Sequence, residues 1–113
     1  MRVDEKALAE DLGRASEAAR ATIELAIRKL EAEGVAVVSL RPCEAEARDG
    51  TKLGGCAKHY IPQPDGRWGA VFSIELEGSK PVLVLLAAGE RHPPRPWKPS
   101  VYEIAHRRFN RNP

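Results

Sequence analysis

The sequence predicts an α+β fold, in which an N-terminal αα-hairpin packs on a small antiparallel sheet and a short helix ends the chain. Three observations support this prediction. Apolar residues recur at spacings of three and four before residue 34, they alternate with other residues at 68–74, and they run without interruption in "VLVLLAAG" at 82–89. A chain of 113 residues has the length of one domain.

Two helices account for the predicted hairpin at residues 1–34. Asp4 fits the N-cap of the first helix, and Gly13 fits its end. The second helix is expected to begin at Ser16 and to stop at Gly34. Its apolar stripe consists of Ala19, Ile23, Ala26, Ile27 and Leu30.

A connector is predicted at residues 35–57, and the sheet at residues 58–90. Residues 35–40 are expected to form either a strand or an extended link. The turn at 64–66 precedes a strand that carries Trp68, Ala70, Phe72 and Ile74 at alternate positions, which predicts burial of one face only. The apolar segment that follows is predicted to be a central strand of the sheet.

Residues 91–113 are predicted to form a basic, proline-rich link and a C-terminal helix. Ser100 fits the N-cap of that helix, which is expected to run from Val101 to about Arg108. Trp68 is expected in the core. For Trp97 we favour a ring folded over the sheet edge, with base stacking or partner contact as the alternative.

Charge divides the chain into two unlike halves. Residues 1–50 hold 8 Lys/Arg against 11 Asp/Glu, whereas residues 51–113 hold 10 against 5. A basic half within a chain of low net charge indicates a polyanionic partner. Alternatively, some of these cations interact with the dipole of the C-terminal helix and have a structural role.

Several other classes of protein are not favoured by the sequence. No apolar run approaches the roughly 20 residues of a membrane span, and no signal peptide is evident, so a cytoplasmic location is expected. Cys43 and Cys56 are the only cysteines, which suits a reducing compartment. With His59 they do not complete a four-ligand metal set, so we expect no metal and no cofactor.

Five segments, in this order, resemble the RelE-like toxins of the RelE/ParE superfamily, which occur in type II toxin–antitoxin systems. They are "KLGG" at 52–55, Tyr60, "GRWGAVFSI" at 66–74, "VLVLLAAGER" at 82–91 and "SVYEIAHRRF" at 100–109. The resemblance implies a metal-independent mRNA endonuclease that acts at the ribosome. In such proteins the RNA 2′-hydroxyl attacks the adjacent phosphate, leaving a cyclic phosphate and a free 5′-hydroxyl.

The resemblance also implies roles for four residues in catalysis. Arg91 would clamp the phosphate, since its planar fork matches phosphate oxygens, and Arg67 would be a second contact. Tyr102 would stack on a base or move a proton, or else be a half-buried helix residue. The family's strand lysines are missing at 61–64, and Lys58 is the nearest replacement.

Further cations are expected to neutralise RNA phosphates. These RNA-binding candidates are Lys52, His92, Arg95, Lys98, Arg107 and Arg108. The last two can instead serve the helix dipole. The partner implied by the family is an antitoxin that covers the hairpin and the basic cleft; no membrane or small-molecule partner is expected.

Two other functions stay open at this point. One is a ParE-type or degenerate toxin that binds a protein such as DNA gyrase and cuts no RNA. The other is a winged-helix-like DNA-binding regulator that uses the N-terminal helices. Against the second, the candidate recognition helix is rich in glutamate, and only Arg20, Arg28 and Lys29 oppose that charge.

Overall fold

The described residues form three helices and a four-stranded antiparallel sheet, which confirms the α+β prediction. The computed structural model describes residues 1–34, 40–47 and 50–110. Helices α1 and α2 span Glu5–Arg14 and Glu17–Glu33, and α3 spans Val101–Phe109. Strands β1 to β4 are Arg41–Pro42, Cys56–Ile61, Trp68–Glu77 and Lys80–Glu90, in that order across the sheet. Residues 35–40 were expected to form a strand or an extended link, and all of them except Leu40 lie outside the described residues.

The two predicted N-caps, Asp4 and Ser100, are confirmed, and Ser16, the expected first residue of the second helix, is its N-cap. The Asp4 carboxylate accepts hydrogen bonds from the backbone N–H groups of Lys6 and Ala7. The hydroxyl of Ser16 accepts from the N–H of Ala19, and that of Ser100 accepts from the N–H of Glu103. Each cap satisfies donors that a helix leaves unpaired in its first turn.

The sheet is covered on both faces. Helices α1 and α2 supply apolar side chains to one core, in which Phe72 of β3 is fully buried. Helix α3 supplies Val101 and Ile104 to a second core on the opposite face, where Val71 is fully buried. The prediction that β3 buries one face only was therefore wrong from Trp68 to Ser73, because α3 folds back across that end of the strand.

Strand β4 lies at an edge of the sheet, so its predicted central position was wrong. Part of its free edge pairs with the N-terminus instead. Arg2 donates its N–H to the carbonyl of Leu83 and accepts from the N–H of Leu85. Since Arg2 precedes α1, the chain adds a short parallel bridge to the sheet before the two helices, and the N-terminal segment is more than a simple hairpin.

Asp11 joins three elements at the same edge. Its carboxylate, 1% exposed, accepts the N–H of Ala88 and two hydrogen bonds of 2.9 Å from Arg108, and it also contacts Arg14. Arg108 donates a further bond of 2.7 Å to the carbonyl of Leu86. These contacts tie α1, β4 and α3 together and block an apolar edge strand from pairing with another chain.

Candidate functional site

Strand register places the candidate site on the face of the sheet that α3 covers. Tyr60 of β2 lies opposite Gly69 of β3, and Gly69 lies opposite Gly89 of β4. Because side chains alternate along a strand, Lys58 and Tyr60 share a face, and Cys56 on the same face packs into the α3 core. Gly89 packs against Val101 of α3, and Gly69 leaves room for a side chain beside Tyr60.

Arg91 fills the space that Gly69 leaves. A Cβ atom on Gly69 would lie 3.0 Å from Cγ and 3.2 Å from Cδ of Arg91. The arginine side chain therefore crosses β3 and sets its guanidinium carbon 3.8 Å from the centroid of the Tyr60 ring. Its backbone is fixed by a 2.7 Å hydrogen bond from its N–H to the carbonyl of Arg67.

Helix α3 brings Tyr102 to the other side of Arg91. The arginine Nε donates to the Tyr102 hydroxyl at 3.4 Å. Lys58 Nζ lies 5.6 Å from the Tyr102 ring centroid and 5.8 Å from that of Tyr60. One arginine and one lysine are thus held between two tyrosines that come from a strand and a helix.

Two further side chains border this group. The guanidinium carbon of Arg41 lies 4.9 Å from the Tyr60 ring centroid, and the His92 ring lies 5.9 Å from that of Tyr102. We call the six residues the cationic–aromatic cluster: Arg41, Lys58, Tyr60, Arg91, His92 and Tyr102.

A cavity of about 220 Å³ opens beside the cluster. Lys58, Tyr60, His92 and Tyr102 form one wall. The opposite wall comes from the connector and consists of Cys43, Glu44, Ala47, Thr51 and Leu53. A space of this size, with aromatic rings and cations on one side, suits a single flat group linked to an anion.

The charges of the cluster lower the pKa of Tyr60. Burial acts in the opposite sense and raises this pKa, but the positive charges of Lys58, Arg91 and Arg41, together with hydrogen bonding from Lys58, outweigh it. The cations stabilise the negative phenolate relative to the phenol. Tyr60 therefore loses its proton more readily than an ordinary tyrosine.

Replacing Lys58 by methionine is expected to raise the pKa of Tyr60 towards its ordinary value of about 10. The charge is removed while much of the side-chain volume stays. Tyrosinate absorbance during an alkaline titration measures the change, and Tyr60→Phe identifies which of the two tyrosines titrates. An unchanged pKa in Lys58→Met would contradict the electrostatic coupling.

Both cysteine thiols have a pKa above the ordinary value. Burial raises the pKa of Cys43, and burial followed by the proximity of Cys43 raises the pKa of Cys56 to about 11. A thiol with a raised pKa is a poor nucleophile near neutral pH. Within residues 1–34, 40–47 and 50–110, no group of three or more His, Cys, Asp or Glu side chains is placed to hold a metal ion.

The remaining catalytic candidate, Arg67, contributes its backbone to the site. Its carbonyl holds Arg91, while its exposed guanidinium lies 3.9 Å from the carboxylate of Asp65. Arg67 thus positions Arg91 through its main chain, and its side chain stays exposed beside Asp65.

The RNA-binding candidates lie in different places. His92, Arg95 and Lys98 border a second, shallow cavity next to Arg91. The main chain of Lys52 is tied to the end of α3 through His106 and Asn110, and its side chain is exposed, as is that of Arg107.

Arg108 does not join the other RNA-binding candidates. Its guanidinium is bound by Asp11, and its side chain is 16% exposed. This largely buried ion pair gives Arg108 a structural role between α1 and α3.

Tyr60 and Arg41 belong to the cluster, although the sequence did not identify them as site residues. Tyr60 lies two residues after Lys58 on a predicted strand, so the shared face was available as a signal. Arg41 gave no such signal, because its position depends on the pairing of β1 with β2, which sets Arg41 opposite Lys58.

The predicted burial is correct for one of the two tryptophans. Trp68 is buried, as predicted. Trp97 is 78% exposed, so the prediction that it folds over the sheet edge was wrong. The backbone turn at 95–98 directs the chain outward at this point, because the N–H of Lys98 bonds to the carbonyl of Arg95.

Comparisons with known proteins identified no relative of this chain among protein families or curated proteins. In the part of the chain that the structure describes, no helix has the length and apolar character needed to cross a membrane.

Proposed function

We propose that this protein is a RelE-like toxin whose cationic–aromatic cluster cleaves mRNA at the ribosome without a metal ion. The observation that carries the proposal is the position of Arg91, whose guanidinium lies on the Tyr60 ring and contacts the Tyr102 hydroxyl beside a cavity. An antitoxin that covers this cluster is the natural partner on the same proposal.

The cluster has the charges that a phosphate under attack requires. Negative charge builds up on the phosphoryl oxygens as the 2′-oxygen approaches, and fixed cations stabilise it most effectively when they are already in place. Arg91 is held in advance by Tyr60 and Tyr102. Its Nη1 donates to the Gly66 carbonyl at 3.5 Å, a weak contact that a phosphate oxygen can replace.

Proton transfer can be assigned to two members of the cluster. The Tyr60 phenolate takes the proton of the 2′-hydroxyl as the 2′-oxygen bonds to phosphorus. The bond from phosphorus to the 5′-oxygen breaks, and the leaving oxygen takes a proton from the Lys58 ammonium. The products are a 2′,3′-cyclic phosphate and a 5′-hydroxyl, and the two side chains regain their starting forms by proton exchange with solvent.

Purified protein and a defined RNA, with and without programmed ribosomes, test this proposal. Cleavage that yields cyclic-phosphate and 5′-hydroxyl ends is expected, and a single 2′-deoxynucleotide at the cut should abolish it. Products with 5′-phosphate ends would contradict the mechanism. Growth arrest on expression without any cleavage would favour the alternative of a toxin that binds a protein target.

The DNA-binding alternative lacks support from the two arginines on α2 that it requires. Arg28 contacts the carboxylates of Glu5 and Glu31, and Arg20 Nε donates to the carbonyl of Leu12. Both guanidinium groups are thus engaged within the helical pair, where a duplex phosphate would have to compete for them.

Replacing Gly69 by alanine is expected to slow RNA cleavage by about 10- to 100-fold, the scale of a misplaced catalytic group. The new Cβ would meet Cγ and Cδ of Arg91 and move the guanidinium from the Tyr60 ring. Gly13→Ala in α1 is the matched control, because a Cβ there meets nothing within 4 Å. Cleavage rates and melting temperatures of both variants separate misplacement from unfolding; full activity in Gly69→Ala would contradict the positioning role.

A further inference from the structure

Trp97 is a large aromatic ring presented to solvent by a stiff turn. It is 78% exposed, and the turn that carries it is closed by the hydrogen bond from the Lys98 N–H to the Arg95 carbonyl, 3.1 Å. Four prolines restrict the surrounding segment: Pro93, Pro94, Pro96 and Pro99. A ring held in this way can bind a flat partner with little loss of conformational entropy.

Positive charge surrounds the turn. Beneath it lies a shallow cavity of about 220 Å³, lined by Arg91, His92, Arg95 and Lys98, with Glu103 as the acidic member of its wall. Lys98 is in part neutralised by Glu90, whose carboxylate lies 3.5 Å from Nζ. Arg91 and Arg95 keep the surface cationic. A negatively charged polymer is therefore a better partner for it than an uncharged, apolar peptide.

The two cavities have a lining residue in common. His92 lines both of them, and Arg91 reaches from the second cavity to the Tyr60 ring. A chain whose phosphate lies at Arg91 can therefore extend over Arg95 towards Trp97 without leaving the basic surface. Nucleic acid single strands have the required alternation of phosphates and flat bases.

We propose that Trp97 is a stacking platform for a base of single-stranded RNA, with Arg95 as the adjacent phosphate contact, outside the position where the strand is cut. The proposal rests on the proposed function in that the bound strand is the RNA cleaved at Arg91. Its contribution is to binding, because Trp97 lies apart from the cationic–aromatic cluster.

Tryptophan fluorescence tests the platform directly. The probe is a single-stranded RNA with one 2′-deoxynucleotide at the cut, which binds without being cleaved. Exposed Trp97 should be quenched saturably and in a salt-sensitive manner, while buried Trp68 supplies the residual signal. Fluorescence anisotropy of labelled RNA measures the affinity. Trp97→Ala is expected to weaken binding by roughly 5- to 150-fold, whereas Trp97→Phe should retain most of the affinity.

Leu76→Ala is the matched control, since Leu76 is a large exposed apolar residue of β3 outside both cavities. Its affinity for RNA should equal that of the wild type. In cleavage assays Trp97→Ala should raise KM and leave kcat nearly unchanged, whereas Arg91→Ala should lower kcat.

Equal affinity of the wild type and Trp97→Ala, or equal binding of single strands and duplexes, would overturn the platform. Saturable quenching in a protein that cuts no RNA would support the platform and refute the proposed nuclease. Cleavage that is normal in Trp97→Ala at all RNA concentrations would do the reverse.

Discussion

Arg91→Ala is expected to reduce the rate of RNA cleavage by about 100- to 1,000-fold, the range found when one preorganised donor is removed from the site of developing charge. The substitution removes the guanidinium that lies 3.8 Å from the Tyr60 ring centroid and contacts Tyr102. Expression in a bacterium should then cause neither growth arrest nor new mRNA ends, although both are expected of the wild type.

Arg91→Lys and Arg67→Ala separate charge from geometry. Lysine keeps the positive charge but loses the planar group that stacks on Tyr60 and binds two phosphate oxygens, so an intermediate rate is expected. Arg67→Ala leaves the backbone carbonyl that holds Arg91 in place, and its rate should fall only a few-fold, in keeping with an exposed cation. Wild-type cleavage by Arg91→Ala would remove the basis of the proposed mechanism.

Local features of the fold were accessible from the sequence. Asp4, Ser16 and Ser100 cap helices through bonds to backbone N–H groups two or three residues away, so the residues needed for each prediction were adjacent in the chain. The apolar stripe of α2 was accessible for the same reason, since Ile23 and Ile27 lie one helical turn apart and are both fully buried.

Features that depend on distant contacts were not accessible. An uninterrupted apolar strand is typical of the centre of a sheet, yet β4 lies at its edge. The edge is tolerated because Asp11 and Arg108 bond to its backbone, and these residues are 97 positions apart. The exposure of Trp97 likewise depends on the direction of a turn, which the amino-acid composition does not reveal.

Several members of the cationic–aromatic cluster had been named as candidates through the family resemblance. Arg91, Tyr102 and Lys58 were expected to act together, and the structure brings them around one point with Tyr60. The contribution of Gly69 could not be predicted, because it consists of an absent side chain whose effect appears only when β3 is aligned with β4. Periodicity identifies which face a residue occupies but not which neighbour it leaves room for.

Asp11→Ala is expected to lower the free energy of unfolding by about 3–5 kcal/mol, the cost of breaking a buried ion pair by removal of one partner. The Arg108 guanidinium, 16% exposed, would lose its buried partner and keep the exposed carboxylate of Glu10 at 3.6 Å, and the N–H of Ala88 would lose its acceptor. Denaturant titration measures the loss, provided that the variant and the wild type have the same m-value. Glu10→Gln is the matched control, because Glu10 contacts the same arginine at 3.6 Å but is 53% exposed, so a change below about 1 kcal/mol is expected.

A second variant distinguishes the charge from the backbone contacts. Asp11→Leu combined with Arg108→Met removes both charges at once, so the penalty for an unpaired buried guanidinium disappears. The Ala88 N–H and the Leu86 carbonyl still lose their side-chain partners, which costs about 1–3 kcal/mol for each group left unsatisfied. The double variant should therefore stay less stable than the wild type, by about 2–6 kcal/mol when both backbone groups are left unsatisfied. A double variant as stable as the wild type would show that the edge of β4 needs no bonding partners, and the role assigned here to Asp11 would reduce to the neutralisation of Arg108.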